Sequence, residues 1–119
     1  MTKFSSSPVN LLDLIPERKT KWENKEGQII LLKNKFKNPL LVKHLLPRMK
    51  NPYYRIKLDR IGSEVWGLCD GKKTVHEIGE CLQQRFQEKI DPVYDRLALF
   101  LQTLERNHFI LFKKNKNTS

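Results

Sequence analysis

Hydrophobic residues recur along this chain with two periods, and the change falls near Leu58. Before it the spacing is that of strands. In "YYRIKL", Tyr54, Ile56 and Leu58 fall on one side and Tyr53, Arg55 and Lys57 on the other, the alternation of a half-buried strand. "WENKEGQIILLK" predicts two extended segments around a Lys-Glu-Gly turn, with Gly27 free to take the positive φ of a tight hairpin. Ile29 to Leu32 are apolar without alternation, which fits a strand covered on both faces or one followed by a bend. Between the strands, Asn38 and Pro39 form an N-cap and first-turn pair. Leu40, Leu41, Leu45 and Leu46 then predict a short amphipathic helix that Pro47 ends. Pro52, just before Tyr53, favours an edge position for the strand that follows.

After Leu58 the period lengthens to that of helices. Asp59 caps a first helix with Ile61, Val65, Leu68 and Cys69 inward, and Gly71 supplies a left-handed residue after its end. "TVHE", Thr74 to Glu77, is a capping box opening a second helix with the stripe Val75, Ile78, Leu82 and Phe86. Asp91 and Pro92 open a third, with the stripe Val93, Leu97, Phe100, Leu101 and Leu104. "HFILF" predicts a last short strand. The fold class is therefore α+β: a winged helix-turn-helix, with N-terminal antiparallel strands followed by a three-helix bundle. Residues 1–21 are expected to be flexible or loosely docked, with "NLLDLIP" able to form one helical turn. The domain spans 22–112 with an insertion at 34–52, and 113–119 form a disordered basic tail. Trp66, Phe86 and Phe100 are read as core residues, with binding as the alternative.

Composition narrows the function. The chain has 119 residues and a net charge of +10. It shows neither a long apolar run nor a secretory signal, so a cytoplasmic location is expected. Cys69 and Cys81 have no CxxC spacing and fall near apolar stripes, so they read as buried thiols. His44, His76 and His108 share no ligand spacing with them, and no phosphate loop or catalytic motif appears. No metal, cofactor or catalytic residue is expected, and the protein reads as a non-enzyme.

The charge is unevenly placed. Residues 33–60 carry nine basic side chains against the single acid Asp59, whereas residues 61–110 carry six basic and eight acidic. A recognition helix brings its exposed face to phosphates and bases. Here those faces would show Glu77, Glu80, Glu88, Asp95 and Glu105, and carboxylates repel phosphates where counterion release needs cations. The helix-turn-helix therefore disfavours DNA. A nucleic-acid binder using the basic 33–60 surface stays as the alternative function, and solubility alone is a further reading of those lysines. "KNPLLVKHLLPRMK" also mixes leucines with cations as interfacial helices do, but packing on the domain is preferred, so no stable membrane insertion is expected.

The run "LDRIGSEVWGLCDGKKTVHEIGECLQQRF", with "FLQTLERNHFI" behind it, resembles the PqqD family. The resemblance rests on Leu58, Gly62, Val65, Trp66, Leu68, Asp70-Gly71, Thr74-Val75, Glu77-Ile78 and Leu82, completed by Phe100-Leu101, Leu104 and Phe109-Ile110. It implies a small winged-helix peptide-recognition element of pathways that modify ribosomally made peptides. Such a domain binds the leader segment of a precursor peptide and presents it to a modifying enzyme, often of the radical SAM class. The leader adds as a strand on the edge of the third strand, beside the third helix. That role carries onto Tyr53, Arg55, Ile56, Lys57 and Leu58 on the strand and onto Leu97, Leu101 and Leu104 on the helix, where core packing is the competing reading. The insertion at 34–52 is longer than the turn the family pattern has there. An exposed edge strand is also able to pair with its own copy, so a monomer or weak homodimer is expected.

Overall fold

The structure, a computed structural model, describes residues 10–35, 38–50 and 53–115. The serine-rich start, Pro52 and the end of the basic tail lie outside the described residues. The elements are β1 (Ile15–Arg18), β2 (Lys21–Lys25), β3 (Gln28–Asn34), α1 (Pro39–His44), β4 (Tyr53–Lys57), α2 (Arg60–Leu68), α3 (Val75–Phe86), α4 (Val93–Arg106) and β5 (Ile110–Lys113). Short 3-10 turns lie at Leu11–Asp13, Leu46–Arg48 and Gln87–Ile90. The chain is α+β with antiparallel strands, and its described residues hold four α-helices rather than a three-helix bundle. The fourth is the insertion helix α1. The last short strand expected from "HFILF" is β5, which pairs with β1.

The chain divides into two compact units, Thr20–Ser63 and the segments on either side of it. In the first, β2 and β3 form the expected hairpin, in the strand order β2-β3-β4. Its two-residue turn is Glu26-Gly27, both at positive φ, and the Asn24 side chain accepts a hydrogen bond from the Gly27 N–H at 2.9 Å. Such a turn matches the right-handed twist of the strands it joins. Ile29, Ile30 and Leu31 are all buried, as expected of a strand covered on both faces. Ser63, in the first turn of α2, locks the start of β3 by accepting from the Ile29 N–H at 3.0 Å and donating to the Leu58 carbonyl at 3.3 Å.

In the second unit the joint "DGKKT" folds as its residues dictate. Asp70 Oδ1 accepts from the N–H groups of Lys72 and Lys73 at 2.9 and 3.2 Å, and Lys73 Nζ donates to Asp70 Oδ2 at 2.8 Å. Gly71 takes φ +78, and a Cβ there would lie 2.6 Å from Glu17 Oε2. The Thr74/Glu77 capping box is complete. Val75, Ile78 and Leu82 of α3 and Val93, Leu97, Leu101 and Leu104 of α4 are buried, with Trp66 beside them in the core and Phe86 and Phe100 half-buried. Helix α4 starts one residue later than expected, at Val93, and Asp91 gives it no side-chain cap.

The N-terminal segment differs most from expectation. Leu11–Asp13 is the anticipated helical turn, capped by Asn10, but β1 follows it and is stitched on both sides. Residues Ile15–Arg18 pair with Ile110–Lys113, while the carbonyls of Leu14 and Pro16 accept from Val75 and Gly71, and the Arg18 N–H donates to the Cys69 carbonyl. Pro16 sits where its missing N–H would turn away from β5, so it costs that ladder nothing. The Arg18 guanidinium donates to the carbonyls of Trp66 and Gly67 at 2.9 and 3.0 Å, closing the C-terminus of α2 with a cation.

Candidate functional site

The candidate strand, β4, is an edge of its sheet. Its register pairs Ile30 with Lys57, Leu31 with Ile56, Leu32 with Arg55, Lys33 with Tyr54 and Asn34 with Tyr53. The Leu58 N–H donates to the Ile29 carbonyl at 2.9 Å, which fixes the phase of the ladder. Antiparallel pairs alternate, so Ile56 and Tyr54 also turn their N–H and C=O towards β3. The N–H and C=O groups of Tyr53, Arg55 and Lys57 therefore point away from the sheet, and none has a hydrogen-bond partner among the described residues.

The two faces of this edge differ in chemistry. Tyr53, Arg55 and Lys57 lie on the face shared with Ile30, Leu32, Lys21 and Glu23. Arg55 is ion-paired with Glu23 across the sheet, and Lys21 Nζ lies 6.0 Å from the Tyr53 ring centroid. Lys57 is exposed and unpaired among the described residues. Arg55 and Lys57 thus do not offer equal charge: one is partly neutralised by a carboxylate, the other is not. Tyr54, Ile56 and Leu58 share the opposite face, but burial rises along it from an exposed Tyr54 to a half-buried Ile56 and a buried Leu58. Tyr54, expected to face inward with the other two, is the departure there, and Lys35 Nζ lies 5.6 Å from its ring centroid.

Leu97, Leu101 and Leu104 form one buried stripe on α4, in the other unit. The ion pair to Glu23 was not anticipated from the sequence. The signal was present, because the two-residue hairpin and the β3–β4 register place Glu23 and Arg55 on one face two strands apart.

Elsewhere the chemistry is quiet. Burial pushes the Cys69 thiol up to about 12, which leaves it protonated and unreactive. Partial desolvation would raise Asp70, but the Lys73 hydrogen bond, the two backbone N–H donors and the Lys73 charge outweigh it and hold the carboxyl down at about 2. No group of three or more His, Cys, Asp or Glu among the described residues is placed to hold a metal ion. On α3, His76, Glu77, Glu80, Gln83 and Gln84 are exposed, as are Asp95, Arg96 and Arg106 on α4, so the helices do show carboxylates to solvent. No described helix is long and apolar enough to cross a membrane.

The family model for coenzyme PQQ synthesis protein D, PqqD, matches residues 50–110. The chain belongs to the PqqD family. No curated protein and no solved structure matches it. The PqqD match begins just before β4 and ends at the first residue of β5, so it takes in every candidate residue on β4 and α4. Outside it lie β1, the β2–β3 hairpin and nearly all of the insertion.

Proposed function

We propose that this PqqD-family protein is a non-catalytic accessory protein that binds the leader segment of a precursor peptide and presents it to a modifying enzyme, a role that the family resemblance often pairs with the radical SAM class. Its frame in this reading is the winged helix-turn-helix domain expected over residues 22–112, with β1 added through its pairing with β5. The observation that carries the proposal is the outward edge of β4, where three residues in alternation, Tyr53, Arg55 and Lys57, direct free backbone donors and acceptors away from the sheet. An extended peptide laid along it gains main-chain hydrogen bonds for affinity and meets alternating side chains for selectivity. On the cationic face it meets Arg55 and Lys57, and on the other Tyr54 and Ile56. Leu58 anchors the end of the strand; the family resemblance also implies Leu97, Leu101 and Leu104, but their burial within their own unit supports the competing reading of core packing.

The same edge disfavours its own copy. An antiparallel pair centred on Arg55 sets Arg55 against Arg55, a like-charge repulsion that the ion pair with Glu23 lessens without removing. A strand bearing carboxylates avoids that repulsion, so the ligand is an acidic segment and the free protein a monomer or weak homodimer. Carboxylates on the exposed helix faces argue against a nucleic-acid ligand there.

The test is a titration of isotope-labelled protein with a precursor peptide encoded beside its gene. Micromolar or tighter binding, with resonance shifts concentrated at Tyr53 to Leu58, is expected. Binding that leaves those residues unshifted rules out the mapped site, and absence of binding rules out the function.

A further inference from the structure

The insertion lies outside the residues assigned to strand addition, and its described surface combines exposed leucines with cations. We propose that Asn38–Lys50 is a reversible docking patch for an anionic lipid surface. The helix α1 and the turn behind it were expected to bury their leucines. Instead Leu40 is 67 % exposed and Leu45 42 %. Interleaved with them, Lys43, His44, Arg48 and Lys50 are exposed as well. From Lys33 to Leu58 the sequence holds eight lysines and arginines and no acidic residue.

A single exposed leucine needs no explanation. Two within six residues, set among cations in a segment without any carboxylate, combine the two forces that hold a peripheral segment at a bilayer. These are apolar side chains between the headgroups and basic ones on their phosphates. Nucleic acid would satisfy the cations but leave the leucines in water. A protein partner would need shape to read, and a six-residue helix followed by a 3-10 turn supplies little. A bilayer interface requires none. Neither force suffices alone for so short a segment, so the contact is reversible and weakens as salt screens it.

The experiment is co-sedimentation of the full chain with vesicles of phosphatidylcholine alone and of equimolar phosphatidylcholine and phosphatidylglycerol. The protein is expected to partition onto the second and not the first. Replacing both leucines, L40S with L45S, should lower the partition about tenfold or more while the circular dichroism spectrum stays that of the parent. A triple variant, K43Q with R48Q and K50Q, should lose a comparable factor. Lack of binding to the anionic vesicles at low salt overturns the proposal. So does full binding by the leucine variant, which would make the patch one of charge alone. Duplex DNA bound equally well by parent and leucine variant, in preference to vesicles, would reassign it to nucleic acid. Peptide binding at β4 is measured separately in the same variants, so either result can fail without the other.

Discussion

Strands β1 and β4 are alike in length and differ in what their edges meet. β1 is used on both sides: its odd-numbered residues pair with β5, while Leu14, Pro16 and Arg18 bond to Val75, Gly71 and Cys69. Among the described residues β4 is used on one side only, with Tyr53, Arg55 and Lys57 turned outward. A strand with both edges satisfied is structure, and altering it should be felt in stability. A strand with one edge open retains bonding capacity, and altering that edge should be felt in binding.

Proline substitution separates the two most sharply. Glu17→Pro removes an N–H that faces β5 and should cost about 3 kcal/mol or more, seen as a large fall in thermal midpoint. Leu14→Ala, at a buried side chain beside β1, should cost about 2–4 kcal/mol in urea unfolding. Arg18→Ala removes the cation bonded to two α2 carbonyls and should cost about 2 kcal/mol by the same measurement. Asp70, beside β1 in the joint, has a folded pKa of about 2, below that of an ordinary carboxylate, so its contribution is complete above about pH 4 and lost as the pH falls towards 2. Asp70→Asn should abolish about 1 kcal/mol of that acid dependence, after allowance for solvent screening. The smallest effect on stability belongs to the open edge. Arg55→Pro removes an outward N–H and an exposed ion pair, should change stability by no more than about 1 kcal/mol, and should abolish peptide binding.

The helical unit was largely legible because its signals are local. The Thr74/Glu77 box, the Asp59 cap and the stripes on α3 and α4 each lie within a few turns of chain. The alternation of Tyr53 to Leu58 likewise announced a strand, and Pro52 before it in the sequence an edge position. β1 was not legible, because "IPER" has neither alternation nor β-branched enrichment beyond Ile15. Its strand character comes from β5, nearly a hundred residues later, and from the Cys69–Gly71 segment, which are tertiary partners. The outward leucines of the insertion failed for the opposite reason. Their helical spacing predicts that they share a face but not that anything covers it. Tyr54 shows the same limit, since alternation assigns a face and not its depth.

The central claim is that β4 binds a peptide as an added strand, and amide hydrogen exchange in the presence of a saturating precursor peptide tests it residue by residue. The alternation of the ladder predicts new protection at the amides of Tyr53, Arg55 and Lys57, with those of Tyr54 and Ile56, already bonded to β3, changed far less. A peptide that binds while the three outward amides exchange as fast as in the free protein would contradict it.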